Sequence, residues 1–333
     1  MCSSDLIDYH VHYFLNGSEN GVNADASSFC NGITTAVDGG TCGAGSYELF
    51  RRTVMALSET RILSCLLIAS GGQSNDRYPE NLEPKYFDEH KILELFSKYR
   101  NELVGLKTRI SNGIAEPELA RRSLKRTVEI AEKAGTRVVV HVTDCSLKLD
   151  ELADMLRPGD VICHIYHGRG ANTCLDANGC VLKGLIKARE RGVLFDASNG
   201  RSNFDLEICR KAIAQGFTPD IISSDNNTSS YFLQPMHVLP RILSKFIDFG
   251  MSLEDVLCAA VTKPAELIFP EGLAAEFAGM KTGSVADIAI FKLKHKPVKY
   301  YDINQHEFTG SQVLVPMMTF KGGKCVYCQA DFC

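Results

Sequence analysis

The chain has 333 residues, 45% hydrophobic and 23% charged, with 36 basic against 40 acidic side chains and a net charge of −4. That is an ordinary globular composition, with apolar mass for one large domain or one large domain with a small appendage. Trp is absent and no long basic run occurs, so nothing directs the chain to nucleic acid or to an anionic membrane surface.

From residue 5 to about 265 short apolar runs alternate with helix-like segments. The runs are LIDYHVH, ITTAVDGG, RILSCLLIA, LVGLKTRI, RVVVHVTD, DVICHIYH, GVLFDAS and DIISSD. They are nearly continuous in Val, Ile and Leu, as strands buried on both faces are. Between them, EPELARRSLKRTVEIAEKAG starts at Pro117, ends at Gly135 and repeats Leu124, Val128 and Ala131 at helical spacing. SLKLDELADMLRPG stops at Pro158 and Gly159, and FDLEICRKAIAQG stops at Gly216. NTCLDANGC reads as a turn before a helix. SLEDVLCAAVT opens with a capping-box pattern, Ser252 and Asp255, and reads as a closing helix.

Eight strands alternating with helices predict an α/β fold, a (β/α)8 TIM barrel over residues 5–269, the usual size for that architecture. An open doubly wound sheet is the rival, and the first strand is not followed by its G-x-G-x-x-G turn. Over 270–333 the pattern changes to SVADIAIFKL, QVLVPMMTFKGG and KCVYCQ, short strands and turns that predict a small, incomplete C-terminal β-sandwich appendage.

The 13 cysteines are scattered without framework spacing, as buried reduced thiols would be. Cys325 and Cys328, with Cys333, lack the second pair that a structural zinc site needs. No charged n-region precedes an apolar stretch, and no apolar run reaches 18 residues. A cytoplasmic protein is expected, one that acts on a small molecule without nucleic acid or membrane and can form a homo-oligomer.

The first strand carries His10 and His12 two positions apart, on one face among Leu6, Ile7 and Val11. Burying an imidazole without a partner costs about 1–3 kcal/mol, so two together call for water or a shared partner. A divalent cation is such a partner. Reading only the C-terminal strand ends, where barrels place their chemistry, adds Lys107 on the fourth, His141 on the fifth, His164 on the sixth and Asp225 on the eighth. Taken singly, each has a plain reading as a solvated, capping or hydrogen-bonded side chain. Four histidines and a carboxylate converging on one rim make a metal constellation.

This ordered set resembles the amidohydrolase superfamily. GLKTRIS, LRPGDVICHIYHG, RERGVLFDASNG and QGFTPDIISSD resemble its deacetylase and dihydroorotase-like group, and TGSVADIAIF its return to a small β-sandwich. The resemblance implies two divalent metal ions, zinc being the expected one. His10, His12 and Asp225 would hold the first, His141 and His164 the second, and a CO2-derived carbamate on Lys107 would bridge them. It departs at Asn199 and at Asn226-Asn227, where related members carry histidines. Members also have some tens of residues before the first strand that form half of the sandwich; here that half is missing or the start is truncated.

The implied enzyme is a metal-dependent amidohydrolase that cleaves an amide, cyclic amide or ester bond by a metal-bridging hydroxide, with Asp225 as proton shuttle. Arg109 shares the face of Lys107 and is a candidate for a substrate carboxylate, with an ion pair at the rim as its plain alternative. Tyr166, His167 and Asn199 are further candidates for lining the pocket. Two rivals stand: a mononuclear nucleobase deaminase using Asp144, and an inactive barrel used for binding or assembly.

Overall fold

The computed structural model describes residues 2–330 except 76, 234 and 271, so Cys333 lies outside the described residues. The strands in chain order are β1 Cys2–Ser4, β2 Leu6–Val11, β3 Ile33–Asp38, β4 Arg61–Leu67, β5 Leu103–Arg109, β6 Val138–His141, β7 Val161–Cys163, β8 Leu194–Asp196, β9 Ile288–Tyr301, β10 Glu307–Lys321 and β11 Lys324–Cys328. β2 to β8 pair in sequence order, all parallel, as crossover helices on the outside require. Both faces of the curled sheet are covered, so its apolar runs need not alternate.

The eighth expected strand differs. Residues 220–225 form no continuous strand but bridge both edges, Asp196 to Ile221 and Val11 to Asn226, both parallel. Ala197 N–H donates to the Ile221 carbonyl at 3.0 Å, and Asp225 N–H to the His10 carbonyl at 2.8 Å. The ring therefore closes. The pleat breaks because Ser223 and Ser224 turn their hydroxyls to the buried carboxylates of Asp196 and Asp8, and Asp225 adopts φ 51°.

The helix Pro117–Ala134 begins on its proline and ends on Gly135 at φ 65°, as its sequence foretells. The capping serine is also where the sequence puts it: Ser252 Oγ accepts from the Asp255 amide. The closing helix is not uniform. Leu253–Leu257 runs into a π-turn at Cys258–Thr262 and then Lys263–Ile268. Pro264 has no N–H and crowds the carbonyl four residues back, which suits a widened turn there. Leu175 and Val181 bridge across the turn that precedes the helix Lys183–Glu190.

The second sheet has the order β1-β9-β10-β11. Its strands are longer than the sequence suggests, 14 and 15 residues in β9 and β10, with bulges at Gly310/Gln312 and Pro316/Met318 that break the apolar alternation. β1 pairs antiparallel with Ser4 opposite Ile288, so the N-terminal residues supply one strand to the sheet otherwise built at the other end of the chain. The Leu314 amide donates to Ser244 Oγ at 2.8 Å, which docks β10 on the helix Leu239–Asp248. Among the described residues no helix is long and apolar enough to cross a membrane.

Candidate metal centre

His10 lies in β2 and His12 just beyond it, Lys107 and Arg109 in β5, His141 at the end of β6, His164 one residue past β7, and Asp225 on the closing segment. All seven line one cavity of about 120 Å³ at the C-terminal rim. A larger cavity of about 930 Å³, beside the starts of β4, β5 and β6, contains none of them. His10, His12 and Asp225 bring their ligand atoms within 4.8 Å of one another. The ring centroids of His10 and His164 are 5.1 Å apart and those of His141 and His164 4.4 Å, so the histidines form one continuous cluster.

The hydrogen bonds fix which nitrogen faces the cavity. Thr41 Oγ1 donates to Asp38 Oδ2 at 2.9 Å, so it accepts from His12 Nδ1 at 2.6 Å. Ser198 Oγ donates to Asp196 Oδ2 at 2.6 Å, so it accepts from His10 Nδ1 at 3.1 Å. His164 Nδ1 donates to the Ser198 carbonyl at 2.7 Å, since a carbonyl can only accept. All three rings thus carry their proton on Nδ1 and present the Nε2 lone pair inward. Such outer partners hold metal-binding histidines in their ligand tautomer.

Those lone pairs meet an acceptor. Asp225 Oδ1 lies 3.2 Å from His12 Nε2 and 3.7 Å from His10 Nε2. Two acceptors at 3.2 Å need a second proton on the imidazole or a cation beside them. Asn203 Nδ2 donates to Asp225 Oδ2 at 2.7 Å, which leaves Oδ1 toward the histidines. This donor set fits a divalent ion with nitrogen and oxygen ligands.

Lys107 is buried, with Nζ 3.4 Å from His10 Nε2 and 3.5 Å from Cys163 Sγ. Among the described residues no carboxylate lies within ion-pair distance of it. A buried ammonium facing a cation-binding cluster is unfavourable, whereas a carbamate on the same nitrogen is an anionic ligand. Room for both groups comes from the glycines that end β3. A Cβ on Gly39 would stand 2.2 Å from His10 Cδ2, and one on Gly40, at φ 95°, 2.7 Å from Lys107 Cβ. His164, Ser198 and Asp225 all have left-handed backbones, at φ 63°, 35° and 51°. Strain of this kind collects where side chains must be aimed.

Burial pushes the His164 imidazole down to about 3, with Lys107 adding to the effect against the opposing pull of Asp225. Burial and the neighbouring cations hold His10 and His141 well below the usual histidine range. Burial alone would raise Asp225, but its close contact with His12, the nearness of His164 and the Asn203 amide hold it below the usual carboxylate range. At neutral pH His10, His141 and His164 stand as neutral imidazoles and Asp225 as a carboxylate, the forms that bind metal.

No protein-family model matches the chain. It is 29% identical over 271 residues to a deacetylase of Agrobacterium fabrum, covering 80% of this chain and 65% of that protein. It is 28% identical over 307 residues to a deacetylase of Brucella anthropi, covering 91% and 74%. A dihydroorotase crystal structure superposes with a TM-score of 0.87 at 26% identity, covering 98% of this chain and 88% of that one. These deacetylases and the dihydroorotase structure indicate the amidohydrolase superfamily. An adenine deaminase structure, with a TM-score of 0.90 at 22% identity over 98% and 87% of the two chains, shares the fold. The chain spans only 65% of the length of the Agrobacterium relative.

The rim does not gather every expected residue. Arg109 faces the cavity, but its Nη1 donates to Glu80 Oε1 at 2.6 Å and to Gln73 Oε1 at 3.1 Å. Tyr166 turns into the core and donates to the Phe217 carbonyl at 2.8 Å. His167 is buried and does not line the cavity. Asn199 points away from the cavity: its Oδ1 accepts from buried Lys245, and its Nδ2 lies 3.2 Å from His237 Nδ1. The three are expected at the pocket because they follow strand ends, but turns after β7 and β8 aim them into the protein, away from the cavity. Asp144 accepts from Asn112 Nδ2 at 2.9 Å and is also outside the cavity. Sequence reasoning missed Asn203, Ser198, Thr41, Gln73 and Glu80. Gly39-Gly40 after β3, in the second apolar run ITTAVDGG, is the one signal in the sequence of a close approach there.

Proposed function

We propose that the chain is a divalent-metal-dependent hydrolase of a small amide, cyclic amide or ester that carries a carboxylate, with deacetylation its foremost form. The observation that carries this is the set of three imidazoles, each donating its Nδ1–H to an outer acceptor and so leaving Nε2 free, with the Nε2 atoms of His10 and His12 beside Asp225. His10, His12 and Asp225 would hold one cation, His141 and His164 the other, and Lys107 as its carbamate would be shared. Cations so held supply a Lewis acid for a carbonyl and lower the pKa of water from 15.7 to about 7.

The chain's own groups do the rest. Asp225 Oδ1, aimed inward by Asn203, takes a proton from the attacking water and returns it to the leaving nitrogen or oxygen. Arg109, its plane set by Glu80 and Gln73 on one nitrogen, binds the substrate carboxylate with the remainder of its fork. The side chains around the cavity are all polar or charged, among them Asn20, Ser202, Asn227 and Ser229. That surface suits a small polar acyl compound better than a nucleobase, whose faces call for aromatic contact. The names of the relatives, deacetylase and dihydroorotase, agree with this class.

The test is a screen of zinc-loaded protein against N-acyl amino acids, acyl hydroxy acids and cyclic ureides, with acid or amine release as readout. Ammonia release from adenine or cytosine, with no turnover of any acyl compound, would move the assignment to a deaminase.

A further inference from the structure

We propose that Ser198 is a positioning residue that ties the two halves of the centre together, so that divalent cations fill it cooperatively; this rests on the metal reading above. Ser198 follows β8, and its two oxygens serve opposite halves. Oγ accepts from Nδ1 of His10, which stands with His12 and Asp225. The carbonyl accepts from Nδ1 of His164, which stands with His141. The residue is itself clamped. Its N–H donates to Asp196 Oδ1 at 3.0 Å and its Oγ to Asp196 Oδ2 at 2.6 Å. Ser223 Oγ lies 2.8 Å from both Asp196 oxygens and 3.3 Å from Ser198 Oγ. The left-handed backbone at φ 35° is what lets side chain and carbonyl reach two different histidines.

A cation that fixes His10 therefore bears on Ser198, and through its carbonyl on the bond that aims His164. The second cation then meets a histidine already fixed, and its binding costs less ordering entropy. The other outer partners are local by comparison: Thr41 holds His12 and Asn203 holds Asp225.

The experiment is a titration of chelator-stripped full chain with Zn2+ against a competing chromophoric chelator, in wild type, Ser198→Ala and Thr41→Val. Wild type should take up two ions in one transition. Ser198→Ala should split this into two transitions, one weakened about 10- to 100-fold, as loss of an outer partner does. Thr41→Val should weaken uptake but keep one transition. Should Ser198→Ala not fold, Ser198→Gly removes the same hydroxyl, relaxes the backbone, and must show the same split. A single transition of unchanged affinity in the serine variants overturns the inference. So does a parallel fall at both sites in step with a lower Tm, the mark of a merely structural role. A wild-type chain that binds no divalent ion refutes the metal reading itself, whereas two ions bound identically by wild type and Ser198→Ala refute only the coupling.

Discussion

Asp225 and Arg109 divide the proposed chemistry between a proton and a charge. Asp225→Asn keeps the size and shape of the side chain but cannot take a proton. It should lower kcat about 10²- to 10⁴-fold while much of the metal stays bound. A near-normal kcat would remove Asp225 from proton transfer. Arg109→Met should raise KM for an anionic acyl substrate about 10- to 100-fold, the worth of a charge-assisted hydrogen bond of ~1.5–3 kcal/mol, and leave a neutral ester analogue little changed. Glu80→Gln should act in the same direction but less, because Glu80 orients the guanidinium rather than touching substrate. Equal effects on both substrates would return Arg109 to a plain rim ion pair.

At the scale of elements, the barrel was legible because its strands are buried on both faces and read as unbroken Val and Ile runs. The exception is instructive. DIISSD reads as a strand, and it closes the ring, but Ser223, Ser224 and Asp225 give their polar groups to the barrel interior instead of keeping a pleat. The candidate ligands were legible because they end strands in a fixed order. Their supports were not: Ser198 is 188 residues from His10, and no local pattern reports a contact of that span. The paired glycines ending β3 give an element-level test. Gly39→Ala places a methyl against the His10 ring, 2.2 Å from its Cδ2. We expect a folded protein by circular dichroism with a sharply reduced metal content; full metal content would show that the ring can move aside at no cost.

At the scale of the whole molecule, barrel and second sheet meet at Asp5 and Asp287, where the Asp5 amide donates to the Asp287 carbonyl at 3.1 Å. Burial pushes the Asp5 carboxyl up to about 7, against the Thr34 hydrogen bond, and the Asp287 charge adds to it. The folded state thus holds a proton that the unfolded chain releases near 3.8. Stability from this group is complete below that value and is lost as pH rises through about 7. Asp5→Asn, neutral throughout, should therefore gain in Tm over wild type as pH rises from 4 to 7 and hold that gain above it. A difference that does not change with pH would mean Asp5 stays ionised in the fold. The same whole-molecule view makes the proposed centre depend on four strands and the closing segment at once, with Lys107 the residue that its two halves would share. The most direct test is elemental analysis of protein purified without chelator, beside Lys107→Ala. The account predicts close to two divalent ions per wild-type chain, fewer in the variant, and partial recovery of activity in the variant with short carboxylic acids. One tightly held ion, unchanged by Lys107→Ala, would contradict it.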